Sequence, residues 1–210
     1  MLNIFFPSEC IGCKTKNTTL CEECLINLPI ASPSPEITTT SLFSYKDIVI
    51  KKALWSLKYS NNKEVGKIFA RILYDRMLEE LSDEELFSNF HNPLLIPIPL
   101  SKKRLKMRGF NQSESIAQEI SILDKNTSFT FTKNVLYKIK DTPSQVSIKD
   151  KVKRLQNLQG CFSVKNHDKI KDKNIILIDD VTTTGATIAE ARKTLLAAGA
   201  KKVIAFTVAH

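Results

Sequence analysis

The sequence predicts an α/β domain with a largely parallel sheet, preceded by a small segment that binds a metal through four cysteines. Aliphatic runs typical of buried strands alternate along the chain with amphipathic stretches typical of helices. The clearest unit comes last, where the strand NIILIDD is followed by a helix that Gly199 ends and by the strand KKVIAFTVA. Four of the five cysteines lie within the first 28 residues, which sets that segment apart from the domain.

Length and composition indicate one ordinary domain with a small appendage, because the chain has 210 residues and 42% of them are hydrophobic. The 31 basic residues exceed the 22 acidic ones and give a net charge of +9. This excess favours nucleic acid, phosphorylated metabolites or an anionic membrane surface as partners. No stretch suggests a membrane span or a signal peptide, so we expect a cytoplasmic protein with reduced cysteines and no membrane insertion.

The chain divides into three predicted units. Prolines and hydroxyl side chains are frequent from Leu28 to Thr40, which is typical of a linker or an extended strap. We therefore expect a zinc-binding segment over residues 1–30, a linker over 31–40, and the α/β domain over 41–210.

The elements of the domain follow from local patterns, and a buried strand ending at prolines is expected in NPLLIPIPL. Asn111 or Ser113 can cap the helix after it. In chain order the other predictions are a strand in SLFSY, helices over 47–59 and 62–82, a basic loop in SKKRLKMRGFNQ (101–112), a loop or weak strand over 124–134, a short helix near 150–158, and a strand in CFSV (161–164).

Two adjacent acids and a threonine-rich loop follow the strand NIILIDD. Ligands of a parallel α/β sheet bind beyond the carboxyl ends of its strands, where Asp179 and Asp180 are expected. The loop Val181–Thr187 leads into a helix, whose first amide groups and dipole suit a phosphate. Gly185 permits close approach of the backbone to a ligand. The hydroxyl donors of this loop are Thr183, Thr184 and Thr187.

The pairing of acids with a phosphate loop indicates a ligand with two different ends. Carboxylates would repel a phosphate, but they can accept hydrogen bonds from sugar hydroxyls or face a divalent cation. A ribose 5-phosphate meets both demands. Other phosphate motifs are excluded, because Ala186 follows Gly185 where a Walker A loop needs lysine, and Gly-x-Gly does not occur. The alternative is a plain strand–turn–helix in which the acids cap the helix.

The stretch ILIDDVTTTGAT resembles the phosphoribosyl-pyrophosphate (PRPP) motif of type I phosphoribosyltransferases. The resemblance implies that Asp179 and Asp180 meet the ribose 2′- and 3′-hydroxyls. It also implies a type I phosphoribosyltransferase-like fold, with Mg²⁺ accompanying PRPP if the protein is active. The implied phosphate loop consists of Thr182, Thr183, Thr184, Gly185, Ala186 and Thr187.

The segment SKKRLKMRGFNQ carries five basic residues and no acid, namely Lys102, Lys103, Arg104, Lys106 and Arg108. If the strand before it runs parallel to NIILIDD, these residues lie at the edge of the sheet that holds the acids. They could then neutralise a pyrophosphate or a nucleic-acid backbone. The alternative is an exposed basic loop without a ligand. A second basic stretch, KDKVKRLQN, could be a mobile flap or a track for single-stranded DNA.

The four N-terminal cysteines form two Cys-x2-Cys pairs, Cys10 with Cys13 and Cys21 with Cys24. Two such pairs complete a tetrahedron of thiolates, which predicts a structural Zn²⁺ that supplies folding energy. An iron–sulfur cluster or reactive thiols are the alternatives. Cys161 is expected to be buried filler.

The order of these features resembles the ComF family of competence-associated proteins (ComFC and GntX-like). The features are the four cysteines, PIPLSKKRLKMRGFNQ, RLQNLQGCF, the PRPP-like motif and LLAAGAKKV. Thr182 stands where that family often has an aliphatic residue. The resemblance implies a role in natural transformation, handling incoming single-stranded DNA together with other competence or DNA-processing proteins. It leaves open whether the protein binds DNA alone, transfers phosphoribose to an unidentified acceptor, or senses PRPP or a nucleotide.

Overall fold

A computed structural model describes residues 8–32, 38–82, 89–125, 127–141 and 157–210 of the chain. The central feature is a five-stranded sheet in the order β1-β7-β6-β2-β3, in which every neighbouring pair is parallel. The carboxyl ends of all five strands therefore meet at one edge. The strands are β1 (Thr39–Phe43), β2 (Leu94–Pro97), β3 (Thr130–Phe131), β6 (Asn174–Val181) and β7 (Lys202–Ala209).

Helices and one hairpin surround the sheet. Strands β4 (Leu136–Lys138) and β5 (Phe162–Val164) pair antiparallel outside the main sheet, and a 3-10 turn spans His167–Lys169. The described α-helices are α1 (Glu22–Ile26), α2 (Ile48–Tyr59), α3 (Lys63–Leu81), α4 (Lys102–Arg108), α5 (Gln112–Asp124) and α6 (Ala186–Ala197). None of these helices combines the length and the apolar character needed to cross a membrane.

The core lies on both faces of the sheet, because side chains of a strand alternate between its faces. Ile176 and Ile178 pack with α2, α3 and α5, whereas Ile175 and Leu177 pack with α6 and the hairpin. All four side chains are completely buried, and each contributes roughly 1.5–3 kcal/mol to folding. This explains why β6 is a continuous aliphatic run, as expected for a strand covered on both faces.

The N-terminal segment shares the first of these cores. Cys10, Leu20 and Leu28 pack in the same cluster as α2 and α3. The backbone amide of Ala31 donates to the Leu42 carbonyl at 3.0 Å, which ties the segment to β1. Strand β1 begins at Thr39, inside the stretch assigned from sequence to a linker, and residues 33–37 of that stretch lie outside the described residues. The division into three units stays a prediction.

The basic loop predicted over residues 101–112 is wrong, because most of it is the helix α4. The Ser101 side chain caps its start by accepting from the Arg104 amide at 3.4 Å. Gly109 ends it in the left-handed conformation, with φ of 80°. Lysine, arginine, leucine and methionine all have high helix propensity, so the segment between these two caps favours a helix over a loop.

Two further predictions concern neighbouring elements. Asn111, rather than Ser113, caps α5, and its side chain accepts from the Ser113 amide at 3.2 Å. The short helix expected near residues 150–158 lies mostly outside the described residues, as do the basic side chains Lys149 to Arg154.

Candidate functional site

The acidic pair lies where β6 reaches the carboxyl edge of the sheet. The Asp179 carboxylate accepts a hydrogen bond from the Ser113 hydroxyl at 2.8 Å and another from the Asp180 amide at 2.9 Å, both at Oδ1. Ser113 stands in the first turn of α5, so this bond joins the strand to the neighbouring helix. One oxygen of Asp179 is thereby held in a fixed direction by the fold.

Asp180 forms an ion pair with a lysine from another helix. Lys58 Nζ, in the last turn of α2, lies 3.0 Å from Asp180 Oδ2, and the two side chains are only 18% and 11% exposed. Taking either partner away would leave a largely buried charge alone, which typically costs about 3–5 kcal/mol. The pair fixes α2 against the carboxyl end of β6.

The surroundings of Asp179 alter the pKa of its carboxyl group. Burial and the adjacent Asp180 charge raise the pKa of Asp179 to about 7, although the hydrogen bonds from Ser113 and the Asp180 amide oppose this shift. Burial lowers the pKa of Lys58, but the charge and hydrogen bond of Asp180, together with the Asp179 charge, outweigh burial and raise the pKa above its usual value. A cation or a hydroxyl donor placed beside Asp179 would offset the burial and the Asp180 charge that raise this pKa.

This protonation predicts a pH effect on stability. Because folding raises the pKa of Asp179, the folded state binds more protons than the unfolded state between about pH 4 and pH 7, and stability falls as pH rises through this window. Asp179→Asn removes that cost, since an amide oxygen can still accept from Ser113. We expect Asp179→Asn to stabilise the fold by roughly 1–2 kcal/mol more at pH 8 than at pH 5.

Thermal melts at both pH values measure this difference. Asp168→Asn is the matched control, because Asp168 is an exposed aspartate outside the site. Equal stabilisation by Asp179→Asn at the two pH values would contradict the shifted pKa.

The threonine loop connects β6 to α6 beside the acids. The Thr182 amide donates to the Ala209 carbonyl at 2.9 Å, which anchors the loop to the end of β7. Gly185 adopts φ of 73°, a left-handed conformation that favours glycine, and α6 begins directly after it at Ala186. Since Gly185 has no side chain to cap the helix, the start of α6 is suited to capping by an anion.

The side chains of this loop divide into two groups. Thr183 and Thr187 line the cavity above the acids, whereas Thr182 and Ala186 are buried. The buried Thr184 hydroxyl has no hydrogen-bond partner among the described residues. Such a group costs about 1–3 kcal/mol if it stays unpaired, so a ligand that reached it would relieve this cost.

A cavity of about 350 Å³ brings the acids and two arginines together. Strands β2 and β6 are parallel, as the sequence argument required, so α4 follows β2 at the carboxyl edge. Arg104 and Arg108 line this cavity, whereas Lys102 and Lys103 line a neighbouring one of about 610 Å³. Arg108 is oriented by a 2.8 Å hydrogen bond to Gln112 Oε1.

Several residues of the site were missed in the sequence. Lys58 and Ser113 contact the acids from distant parts of the chain, and burial lowers the pKa of Lys138, which joins both cavities. The sequence predicts Ser113 only as a possible helix cap. No local pattern marks Lys58 or Lys138, because their proximity to the acids arises only in the folded chain.

The four cysteines of the N-terminal segment lie together. Their sulfur atoms are all within 4.8 Å of one another, with Cys10 and Cys13 at 3.6 Å and 3.5 Å from Cys21. Thiolates around a tetrahedral Zn²⁺ stand about 3.8 Å apart, because each Zn–S bond is about 2.3 Å long. The four cysteines can therefore hold a metal ion, with the geometry of a closed structural site.

Backbone and charge at this cluster also suit a cation. A Cβ atom on Gly12 would lie 2.6 Å from the Cys24 sulfur, so only glycine allows this approach. Burial opposes ionisation of Cys10, but nearby amide groups, chiefly that of Cys21, outweigh it and lower its pKa to about 6. A hydrogen bond with the Cys21 sulfur, burial and the neighbouring sulfur atoms together raise the pKa of Cys24 to about 12, which disfavours a second thiolate in the cluster without a cation. A divalent cation would favour the deprotonated form of all four thiols.

Comparison with known proteins agrees with this geometry. Residues 67–210 match the phosphoribosyl transferase domain family. The chain is also 30% identical over 201 residues to competence protein ComFC of Streptococcus pneumoniae, covering 95% of this chain and 80% of that one. The chain belongs to the ComF family. The predicted family, and the parallel phosphoribosyltransferase-like fold with its cysteine cluster, are thus confirmed.

Other similar proteins are longer or share less sequence with this chain. ComFC of Bacillus subtilis is 31% identical over 169 residues, and the match covers 80% of this chain but only 62% of that protein. DNA utilization protein YhgH of Escherichia coli O157:H7 is 25% identical over 205 residues, with coverage of 93% and 86%. The solved hypoxanthine phosphoribosyl transferase of Trypanosoma cruzi has a TM-score of 0.41 and 9% identity, with coverage of 69% and 64%.

Proposed function

We propose that this ComF protein handles incoming single-stranded DNA in the cytoplasm during natural transformation and binds a ribose 5-phosphate group such as that of PRPP. The observation that carries the proposal is the cavity in which the acid pair, Arg104 and Arg108 converge at the carboxyl edge of the sheet. Relatives named as competence and DNA utilization proteins support the DNA role.

The ribose phosphate fits the site in a definite direction. The ribose hydroxyls donate to Asp179 and Asp180, or reach them through Mg²⁺, and the 5′-phosphate lies at the start of α6 near Thr184. The pyrophosphate of PRPP then points toward Arg104 and Arg108. A cavity of about 350 Å³ is within the range of small-molecule sites.

The DNA role is supported by charge. Helix α4 carries five basic residues and no acid, and α2 carries three lysines and no acid. The two helices flank the cavity, so positive side chains surround its opening. A phosphodiester backbone would bind this surface by releasing counterions, with little dependence on base sequence.

Salt dependence tests the DNA role. We expect affinity for a fluorescent single-stranded oligonucleotide to fall at least about 10-fold between 50 and 200 mM salt. Lys102→Gln/Lys103→Gln should reduce the slope of log affinity against log salt by about 1 to 2, because two phosphate contacts are lost. Fluorescence anisotropy measures both effects.

The control for this experiment removes the same charge elsewhere. Lys171→Gln/Lys201→Gln changes two exposed lysines at the amino edge of the sheet and should leave the slope unchanged. Affinity that does not vary with salt, or equal effects of the two double variants, would overturn DNA binding through α4.

Active transfer is the second candidate function, and it is favoured by the presence of acids and arginines in one cavity. An acceptor nitrogen would bond to the anomeric carbon of PRPP as the bond to pyrophosphate breaks, and Arg104 and Arg108 would stabilise the departing pyrophosphate. The acceptor also loses a proton, and no described residue is assigned as its base. Pyrophosphate release with any base or amine acceptor would establish transfer. Tight PRPP binding without release across a broad panel would favour a sensing role.

A further inference from the structure

Two exposed aromatic rings stand on α2 at the rim of the acid-pair cavity. Trp55 and Tyr59 are one turn apart, and their ring centroids are separated by 5.3 Å. Their exposed fractions are 61% and 55%, so more than half of each side chain faces water. We call this pair the α2 aromatic pair. Neither ring belongs to a core cluster of the described residues, so core packing does not account for them.

The α2 aromatic pair is connected to the site. Both rings line the cavity that contains Asp179 and Asp180. The Arg108 guanidinium lies 5.4 Å from the Tyr59 ring centroid, and Gln112 holds that guanidinium at 2.8 Å. Arg108 thereby contacts the Tyr59 ring from α4, and Trp55 lies one turn earlier on α2.

Positive charge surrounds the aromatic pair. Lys51 lies one turn before Trp55 and lines the same cavity, and the next residue, Lys52, is exposed. Lys51 Nζ is held at 3.1 Å from the Lys46 carbonyl. Aromatic rings interleaved with cations are the chemistry of single-stranded nucleic-acid binding, in which bases stack and phosphates meet lysine or arginine.

We propose that the α2 aromatic pair stacks on a base of single-stranded nucleic acid whose backbone runs between α2 and α4. The inference rests on the proposed DNA function and adds the place where a base is held. A single strand fits better than a duplex, because paired bases do not offer their faces. The flanking lysines match a charged backbone, whereas a neutral free base has no need of them.

The fluorescence of Trp55 tests the proposal directly, because it is the only tryptophan of the chain. The full-length protein is titrated with an oligothymidylate of about 15 nucleotides and with an abasic strand of equal length and charge. We expect the oligothymidylate to quench the emission and to bind about 10-fold more tightly than the abasic strand. Anisotropy of end-labelled strands also reports variants that lack the tryptophan, and by this readout Trp55→Ala should abolish the preference and leave the affinity for the abasic strand unchanged.

The controls separate stacking from general binding. Ile122→Ala truncates an equally exposed apolar side chain on α5 and should keep the preference for the oligothymidylate. Trp55→Phe should retain part of it, because a smaller ring remains. A third titration with thymidine alone should leave the emission unchanged, since the backbone phosphates are missing.

Each contrary outcome has a distinct meaning. Equal, salt-dependent binding of both strands would overturn the stacking role and leave the proposed DNA function standing. Absence of binding by either strand would overturn both. Quenching by thymidine at the same concentrations as the oligothymidylate would assign the aromatic pair to a free base and overturn the proposed strand path.

Discussion

Cys10→Ser is expected to release the metal of the N-terminal segment and to destabilise the protein by about 5 kcal/mol, a fraction of the binding free energy typical of a structural zinc. Serine cannot replace the thiolate as a zinc ligand of similar strength. Cys10 is also completely buried in the core that α2 and α3 share. The loss of one ligand therefore acts on the main fold as well as on the cysteine cluster.

The measurement combines metal content with thermal stability. Purified wild-type protein is expected to contain about one Zn²⁺ per chain by mass spectrometry, as four protein ligands require. Cys13→Ser changes an exposed member of the cluster, so its effect reports the metal with little contribution from core packing. Both serine variants should lose metal and melt at lower temperature.

A cysteine outside the cluster provides the control. Cys161→Ala alters a buried cysteine in the second core and should keep the full metal content. Iron together with labile sulfide in the wild-type protein would identify an iron–sulfur cluster instead of zinc. Full metal retention in Cys13→Ser would overturn the four-cysteine site.

Loss of the metal should also weaken the ion pair between Lys58 and Asp180. The N-terminal segment packs against α2, because Gly12 lies close both to Cys24 of its own segment and to Val49 of α2. Helix α2 carries Lys58, the partner of Asp180. A loosened α2 would weaken that ion pair, so the cysteine cluster and the proposed ribose-phosphate site are linked through one helix.

Strand β6 could be predicted from sequence because its two faces are both buried. A run of four aliphatic residues followed by two acids has few structural explanations, and the parallel sheet places that end at a ligand edge. The cysteine spacing was equally informative, since two Cys-x2-Cys pairs bring four thiols together in the fold.

Helix α4 was missed although its caps were visible. Ser101 and Gly109 frame seven residues of high helix propensity, but the density of positive charge suggested an exposed loop. Strand β1 was placed too late for a different reason. Thr39 and Thr40 resemble the preceding hydroxyl-rich stretch, and their pairing with β7 is decided far along the chain.

The contacts of the acids could not be predicted from sequence. Ser113 precedes Asp179 by 66 residues, and Lys58 is further away still. Each contact depends on how α5 and α2 pack on the sheet, and local sequence patterns do not predict that packing. Sequence therefore indicated the ligand-facing residues but not the groups that set their charge.

Asp179→Asn/Asp180→Asn is expected to weaken binding of Mg²⁺ and PRPP at least about 100-fold, because each hydrogen bond to a charged group contributes about 1.5–3 kcal/mol. Titration calorimetry with PRPP in the presence and absence of Mg²⁺ measures the change. Asp75→Asn/Asp168→Asn removes the same charge from exposed positions and should bind like the wild type. Unchanged affinity for PRPP in a folded acid-pair variant would show that the ribose does not bind at this edge of the sheet.

The single variants separate binding from folding. Asp180→Asn leaves the largely buried Lys58 without its partner and should destabilise the protein, whereas Asp179→Asn should stabilise it at pH 8. Both should lose affinity for PRPP. A variant that is more stable and yet binds poorly would mean that the Asp179 carboxylate is kept at a cost to the fold, as expected of a group that serves a ligand. Loss of affinity only in Asp180→Asn would instead confine the ribose contact to Asp180 and leave Asp179 as its structural neighbour.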